Sequence, residues 1–327
     1  MGLSLHRHLR TRLLSHGGVT LMRMAGRRSI RILLYHRFPA AARSSLEVQC
    51  AHIKKHYRLI SLDDIACWLQ GDISLPHNSL AVTVDDGYRD FYLNAYPVFA
   101  SYQIPVTIFL TTDFLDHRNW LWVDRVRYMC SRTQVRSARI SSDSGQFHEF
   151  FFQMSTAREQ ATVAIKEIAK AMSNPQRLRF VMDELPRILK VTVPDQVTTD
   201  FEPLKWDEVR EMASTCISFG AHTKSHPILS SLRSSVTLLE EIGGSKLRLE
   251  SELDRSVLHF SYPNGMANDI DPDVVASVKN SGFKTAVVAQ GGVNTRHTDR
   301  FLLRRNTVAP ESGELEFGRF ATGFRRH

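Results

Sequence analysis

The 327-residue chain is 43% apolar and 23% charged, which suits a folded protein with a sizeable core in one large α/β domain or two smaller ones. No stretch approaches the ~20 apolar residues that cross a bilayer, and the first residues lack the apolar run of a secretory signal. The four cysteines are scattered without a CxxC pair, which argues against a disulfide framework or a zinc ribbon. These features predict a cytoplasmic protein.

The net charge of +8 is concentrated near the N-terminus. Residues 1–46 contain nine arginines and no acidic residue before Glu47, and the remaining 33 basic and 34 acidic residues nearly cancel. We expect residues 1–30 to form a basic arm, and the Leu and Met between its arginines make peripheral contact with an anionic membrane surface one possible role. A solvated leader and an organelle transit peptide stay open. Nucleic acid is not expected, because no basic patch follows.

Short β-branched runs alternate with amphipathic helical patterns along the chain, which predicts parallel βαβ units. One helix start is well marked, since Asp271 and Pro272 fit its first positions and Gly282 follows its end. The seven predicted strands lie at residues 31–38, 79–87, 105–113, 216–223, 257–265, 284–292 and 301–308.

Residues from about 125 to 203 interrupt this alternation with a Ser-rich segment and two helical patterns. We interpret them as a largely helical insertion between two βα units and not as a separate catalytic domain. The predicted organisation is therefore a basic arm at 1–30, a catalytic domain at 31–310 that contains the insertion, and a C-terminal tail at 311–327.

Polar residues capable of chemistry collect where the predicted strands end. Both a barrel of parallel strands and a doubly wound sheet bind their ligands at that edge, so the pattern predicts an active site there. No Gly-rich phosphate loop is present, which counts against a nucleotide enzyme. The strand-end residues are Tyr35, His36, Asp85, Asp86, Thr111, Thr112, Asp113, His222 and Asn264.

The segment "GAHTKSHP" supplies two histidines, His222 and His226, four residues apart. If a helical turn follows His222, both imidazoles face one side and can share a metal ion. A carboxylate from Asp86 in "TVDDGYRD" would complete two histidines and one carboxylate, which leaves open positions for water and substrate. Alone, an HxxxH pattern also fits two unrelated histidines at a helix start.

The segments "TVDDGYRD", "GAHTKSHP" and "FSYPNG" resemble, in order, three signature motifs of the polysaccharide deacetylases (carbohydrate esterase family 4, the NodB-homology domain). The resemblance runs from about Arg31 to Arg305, except for the insertion. It implies a distorted (β/α)7 barrel and a hydrolase that removes N-acetyl groups from amino sugars with a divalent metal, usually zinc.

The resemblance also implies roles for individual residues. Asp85 would be the general base that takes a proton from metal-bound water, a role that suits a carboxylate beside a metal. Asp86, His222 and His226 would be the metal ligands. A backbone N–H at Asn264 would stabilise the oxyanion, and Tyr262 in the same motif would contact substrate.

Two departures from the family pattern leave roles to be reassigned. Many members carry an arginine that orients the base where this chain has Ser261, and we hypothesise that Arg305 in "FLLRRNTV" supplies the missing guanidinium. A surface position is an equally open interpretation of Arg305. Residues 309–326, which follow the last predicted strand, contain no histidine to act as general acid, and His297 is expected to face solvent.

His36 is the better candidate for the general acid. The segment "ILLYHRF" resembles the permuted biofilm-polysaccharide deacetylases, in which an early Tyr-His places the acid. A strand-end histidine near a metal can be poised near neutral pH. Among aromatic residues, Trp206 is predicted to rim the cleft, and Trp120 and Trp122 are further candidates for stacking on sugar, with core packing the default for Trp122.

Three functions stay open at this point. The leading one is deacetylation of an N-acetylated oligosaccharide, polysaccharide or lipid-linked glycan precursor. The second is hydrolysis of a non-sugar C–N bond on the same fold. The third, a non-catalytic carbohydrate-binding descendant, is disfavoured because both aspartates and both histidines are present.

Overall fold

The aliphatic runs along the chain form a barrel of parallel strands in a computed structural model that describes residues 17–142, 145–232 and 234–323. The strands of this sheet are β1 Arg31–Tyr35, β2 Arg58–Leu59, β3 Ser79–Val84, β4 Val106–Leu110, β7 Ile217–Ala221, β8 His259–Ser261, β9 Thr285–Val288, β10 Leu303–Arg304 and β11 Asn306–Thr307. Neighbours in the sheet follow the order β10-β9-β8-β7-β4-β3-β1-β11, and β2 pairs with β3. Two further strands, β5 Ser137–Ser141 and β6 Phe147–Phe151, form a separate antiparallel hairpin.

The last strand of the barrel changes partner in its middle. Leu303 of β10 pairs with Val287 of β9, whereas Asn306 of β11 pairs with Leu33 of β1. Only Arg305 separates the two halves, so this segment nearly closes the barrel. With β10 and β11 counted as one strand, the barrel has seven parallel strands, and the predicted fold class is confirmed.

Helices cover the outside of the barrel, and several begin where the sequence supplies a cap. Asp271 accepts a hydrogen bond from Val274 N at the start of α12, with Pro272 in the first turn, as predicted. The helices are α1 (17–25), α2 Arg43–His56, α3 Leu62–Gln70, α4 Tyr96–Ser101, α5 Thr112–His117, α6 Trp122–Arg132, α7 Ser155–Ala171, α8 Asn174–Arg179, α9 Leu185–Leu189, α10 Trp206–Ala213, α11 Ser235–Leu253, α12 Pro272–Asn280 and α13 Glu314–Ala321. Short π-helical segments lie at Phe91–Ala95 and Phe180–Glu184.

Alternate residues of the strands pack into different clusters, as expected of barrel strands. Ala81, Phe109 and Val287 cluster with residues of α3, whereas Val82 and Ile108 join the larger core. The larger core includes residues of the surrounding helices, such as Phe99 of α4.

The long connection between β4 and β7 has its own hydrophobic core. This connection contains α6 to α9 together with the β5–β6 hairpin, and the hairpin was not predicted from the sequence. The hairpin was missed because its first strand lies in the Ser-rich segment, where only Ala138 and Ile140 are buried. The boundaries predicted for the insertion, near residues 125 and 203, stay predictions.

Both ends of the described chain are helical. Residues 17–25 of the predicted basic arm form α1, and residues 1–16 lie outside the described residues. Residues of the predicted C-terminal tail form α13, which packs on α2. Among the helices described, none combines the length and apolarity needed to span a membrane.

Candidate active site at the carboxyl ends of the strands

Asp85 and Asp86 follow the last residue of β3 directly. Asp85 N donates to Tyr35 O at 3.0 Å, which continues the pairing with β1 one residue beyond the strand. Asp86 has a φ of 76° and Gly87 a φ of 89°, so the chain turns sharply at the second carboxylate. Both aspartates are buried, with exposed fractions of 3% and 6%. A buried carboxylate needs a cation or donors, and the surrounding residues supply them.

Asp86 faces two imidazoles. Its Oδ1 lies 3.4 Å from Nε2 of His222 and 3.4 Å from Nε2 of His226. One ligand atom from each of the three residues lies within 4.8 Å of the others. The predicted ligand set is thus brought together at one point, and all three residues are buried.

The backbone and neighbouring polar groups orient these ligands. Nδ1 of His222 lies 2.7 Å from the carbonyl oxygen of Ser261, which directs Nε2 towards Asp86. The backbone N–H of His226 donates to Thr223 Oγ1 at 3.0 Å. His226 itself has a φ of 61°, and strained residues of this kind concentrate at functional sites.

The three residues fit a divalent metal ion. Bonds of ~2.0–2.2 Å at tetrahedral angles place neighbouring ligand atoms roughly 3.3–3.5 Å apart, which agrees with the two separations at Asp86. Those separations are long for hydrogen bonds, and among the described residues Asp86 Oδ1 and His226 Nδ1 have no hydrogen-bond partner. Two imidazoles and one carboxylate also leave coordination positions open.

Arg305 holds Asp85 in a bidentate ion pair. Its Nη1 and Nη2 donate to Oδ1 and Oδ2 of Asp85, each at 2.7 Å, and its side chain has no exposed surface. Nη2 also donates to Ser261 Oγ at 2.9 Å, and that hydroxyl donates to Asp85 Oδ2 at 3.0 Å. Ser261 is the position at which the sequence analysis found a departure from the family pattern. The Arg305 side chain, on the partner-changing strand, is therefore buried against Asp85 and is not a surface position, and its role in orienting a base stays a prediction.

The surroundings of the site shift the pKa values of Asp85, Asp86 and His222. Burial alone would raise the pKa of Asp85, but Arg305 and His222 outweigh it and hold that pKa below the usual value. Burial likewise opposes ionisation of Asp86, and the two imidazoles lower its pKa well below the usual range. Burial would lower the pKa of His222, but Asp85 and Asp86 raise it. Both carboxylates are thus held in the ionised form.

A cavity of about 210 Å³ opens over these groups. His36 follows β1, is exposed and lies in the wall of this cavity. Desolvation lowers the pKa of His36, and the attraction of Asp86 and Asp85 only partly offsets it. Asn264, with a φ of 59°, lies in the opposite loop after β8. The cavity wall includes His36, Asp85, Asp86, His222, His226 and Asn264.

Two predicted substrate contacts need correction. Tyr262 lies in the hydrophobic core with 1% of its surface exposed, and its hydroxyl donates to Phe301 O at 3.1 Å. Trp206 opens α10, but its Nε1 donates to Asp116 Oδ1 at 2.8 Å and Arg248 covers its ring at 4.7 Å. Neither residue lies in the cavity wall, because local partners in the fold already engage both side chains.

Trp120 and Trp122, the other two candidates for stacking on sugar, line a second cavity of about 340 Å³. His226 lies in the wall of both cavities, so this space adjoins the metal-ligand cluster. Trp120 is half-buried, and Trp122 is 9% exposed with a buried Nε1 that has no partner among the described residues. Trp122 belongs to the hydrophobic core of the insertion, its default in the sequence analysis, with Arg177 5.5 Å from its ring. Trp120 is thus the more accessible of the two rings at this cavity.

The sequence analysis missed two cations at the site. Arg127 of α6 and Lys166 of α7 lie in the wall of the smaller cavity, opposite the strand ends. Both belong to the insertion, and no motif or spacing in the sequence marks them. Their position follows only from the way in which the insertion folds back over the barrel.

Comparisons with known proteins point to polysaccharide deacetylases. A sequence model of the polysaccharide deacetylase family matches residues 72–286, which is more than half of the chain. YxkH of Bacillus subtilis, a polysaccharide deacetylase homologue, is 27% identical over 106 residues. That match covers 30% of this chain and only 37% of the length of YxkH.

Solved structures show the same fold at low sequence identity. The Streptococcus pyogenes deacetylase PplD, solved in complex with acetate, has a TM-score of 0.59 at 15% identity and covers 90% of this chain and 98% of its own. IcaB from Ammonifex degensii has a TM-score of 0.58 at 17% identity, with 90% and 97% covered. The likeness covers the barrel together with most of the chain outside it.

Proposed function

Since this chain belongs to the polysaccharide deacetylase family, we propose that it hydrolyses N-acetyl groups from amino sugars of an oligosaccharide, polysaccharide or lipid-linked glycan precursor. The observation that carries the proposal is the placement of a metal-ligand cluster next to a carboxylate held by Arg305, in the wall of one cavity. The bond broken is the linear amide C–N bond, and the products are acetate and a free amino sugar.

We assign the metal to Asp86, His222 and His226, and we propose Zn²⁺ because two imidazoles and a carboxylate form a common catalytic zinc set. When bound, the ion acts as a Lewis acid towards the amide carbonyl and makes a nearby water more acidic. The carbonyl of Ser261 keeps His222 in the tautomer that presents Nε2 to the ion.

Asp85 is proposed as the general base. Arg305 and Ser261 fix both of its oxygens, so the carboxylate has a single orientation. As the water oxygen attacks the amide carbonyl carbon, Asp85 accepts the proton that the water loses. The lowered pKa keeps Asp85 ionised at neutral pH, so its carboxylate carries no proton and can accept one.

Collapse of the tetrahedral intermediate requires stabilisation of its oxyanion and a proton for the leaving nitrogen. A backbone N–H at Asn264, in the loop after β8, is proposed to donate to the oxyanion. His36 is proposed to protonate the leaving amine, since it is exposed to the same cavity. The C–N bond then breaks, and the amino sugar leaves neutral.

The second cavity supports an oligomeric substrate. The smaller cavity, about 210 Å³, is below the ~300–1,000 Å³ of typical ligand pockets, so we propose that it holds one sugar residue. Neighbouring sugars would extend past His226 into the space lined by Trp120 and Trp122. The half-buried ring of Trp120 offers flat apolar surface there for a pyranose ring.

Acetate release tests the proposal. The purified protein is chelated, reloaded with Zn²⁺ and given N-acetylglucosamine oligomers of one to five residues, and acetate and bound metal are measured. We expect release from the oligomers only after reloading. Bound metal without acetate from any sugar would favour a non-sugar C–N substrate, and neither metal nor acetate would favour a carbohydrate-binding descendant.

We further propose that the protein acts in the cytoplasm at an anionic membrane surface. On α1, Leu21, Met22 and Met24 are exposed, and Arg27 and Arg28 follow directly. Exposed apolar residues beside arginines suit a helix lying on anionic lipid. Flotation with vesicles of phosphatidylserine and phosphatidylcholine is expected to carry the full chain, and not a chain without residues 1–28. Equal flotation of the two would contradict the proposal.

A further inference from the structure

The insertion places two cations over the proposed active site. Arg127 of α6 and Lys166 of α7 lie in the same cavity wall as Asp85 and the metal ligands. The barrel strands supply the reacting groups of this cavity, and they account for its chemistry without either cation. These two side chains therefore call for a separate explanation.

Only one of the two cations is neutralised by the protein. Arg127 Nη1 forms an ion pair with Asp124 Oδ1 at 2.9 Å, and the other oxygen of that buried carboxylate accepts a hydrogen bond from Tyr88. Lys166 makes no hydrogen bond or ion pair with another residue in the part of the chain that the structure describes. Asp124 and Glu167 attract it only from a distance.

The surroundings of Lys166 disfavour its charge. Burial lowers the pKa of Lys166 from its usual 10.5, and the neighbouring Arg127 lowers it further. Two like charges held close together over a cavity repel each other unless an anion joins them. The half-buried ammonium has no such anion in the protein itself.

We propose that Lys166, supported by Arg127, binds an anionic group on the sugar next to the N-acetylated residue, so that the substrate is an acidic glycan. This inference rests on the proposed deacetylase function and adds its substrate class. The anion is a carboxylate, as in a uronic acid, or a phosphate, as in a phosphorylated sugar. Both groups match a lysine ammonium as a compact positive charge.

The cavity dimensions agree with this placement. The smaller cavity has room for one sugar, so the anion belongs to a neighbouring residue at its mouth. Lys166 is on the insertion side of the cavity and is only partly buried, where a substituent of the adjoining sugar would pass. Asp85 and Asp86 lie in the same cavity wall, but Asp85 is paired with Arg305, and Asp86 faces His222 and His226.

The test compares three tetrasaccharides with zinc-loaded full-length protein. One is neutral N-acetylglucosamine tetramer, one alternates glucuronic acid with N-acetylglucosamine, and one is the neutral tetramer with a single phosphate. Lys166→Gln is expected to lower kcat/KM for at least one acidic substrate by about tenfold or more, and for the neutral one by less than about twofold. If kcat/KM falls for the glucuronic acid substrate, Lys166 binds a carboxylate, and if it falls for the phosphorylated substrate, Lys166 binds a phosphate.

Two controls sharpen the comparison. Lys54→Gln makes the same charge change at an exposed position on α2 and should alter none of the rates. Lys166→Arg keeps the charge and should restore most of the acidic preference. High salt should weaken the preference in the wild-type protein. Equal losses on neutral and acidic substrates, or no loss on either acidic one, would overturn the inference.

A binding measurement keeps the inference separate from the proposed function. If no tetrasaccharide yields acetate, the deacetylase proposal fails, and calorimetric titration with the same acidic tetrasaccharides decides the role of Lys166. Binding to the wild-type protein that is at least about tenfold weaker in Lys166→Gln supports the anion site. Absent binding, or equal binding by both proteins, contradicts it.

Discussion

The barrel and the insertion meet at one cavity but supply it with different kinds of residue. From the barrel come Asp85, Asp86 and His222, which lie at strand ends and are tied to the backbone or to each other. From the insertion come Arg127 and Lys166, which lie on helix faces. This division suggests that rigid strand ends carry the reaction, whereas the insertion selects the substrate.

The largest expected effect is on the barrel side, at the proposed base. Asp85→Asn should lower kcat by about 10²–10⁴-fold with little change in bound zinc, because it removes the proton acceptor but no metal ligand. The matched variant Asp86→Ala should lose both zinc and activity. Acetate release and metal analysis of the two purified variants check this. If Asp85→Asn lost its zinc as well, the separation of base from ligand would be wrong.

The next largest effects are expected at Arg305, because its ion pair with Asp85 should affect both the stability of the fold and the rate of the reaction. Arg305→Ala leaves Asp85 buried without its cation and should destabilise the fold by about 3–5 kcal/mol. The freed carboxylate should also cost about 10²-fold in kcat through misplacement. Urea unfolding and acetate release measure the two effects. Arg304→Ala, at the exposed neighbouring position, should change stability by no more than about 0.5 kcal/mol.

The same ion pair predicts a pH dependence. Because the folded pKa of Asp85 is lowered, its contribution to stability is present above the unfolded pKa of about 3.9 and is lost as pH falls through the folded value. The stability difference between wild type and Arg305→Ala should therefore shrink as the solution becomes strongly acidic. A difference that stays constant from pH 7 to pH 3 would speak against Asp85 as its source.

His36 tests the assignment of the acid. His36→Ala should reduce kcat by about 10²-fold while KM and bound zinc stay near wild type, because the leaving amine loses its proton donor. Single-substrate kinetics with an N-acetylglucosamine tetramer separate these quantities. His297→Ala, in an exposed loop, provides the control and should be fully active. Normal turnover in His36→Ala would remove His36 from the reaction.

The smallest effect is expected on the insertion side. Trp120→Ala should raise KM for a tetramer by several-fold, in line with roughly 0.5–1.5 kcal/mol for an aromatic contact, and leave kcat unchanged. A dimer too short to reach the second cavity should be unaffected. Initial rates on the two substrates give both parameters. A fall in kcat on the dimer would mean that the insertion shapes the reacting groups as well.

How much of the site the sequence could predict depends on how close together its residues lie in the chain. Asp85 and Asp86 adjoin a strand, and His222 and His226 are four residues apart, so short motifs were enough to group them. Arg305 reaches Asp85 from 220 positions away, and only the departure at Ser261 pointed to it.

The rest depended on contacts that no motif records. Tyr262 and Trp206 looked available in the sequence, but each donates its hydrogen bond to a partner set by the fold. Lys166 reaches the cavity only because α7 folds back over the barrel, and helix periodicity alone does not say which element a helix face meets. The β5–β6 hairpin was hidden by its polar, Ser-rich sequence.

The most direct test of the central claim is acetate release from an N-acetylglucosamine tetramer while Zn²⁺ is added back to chelated protein. We expect activity to return and to saturate near one zinc per chain in the wild-type protein, whereas His226→Ala should neither bind the ion tightly nor recover activity. Full activity in the chelated protein, or one zinc bound without any acetate released from the tetramer, would contradict it.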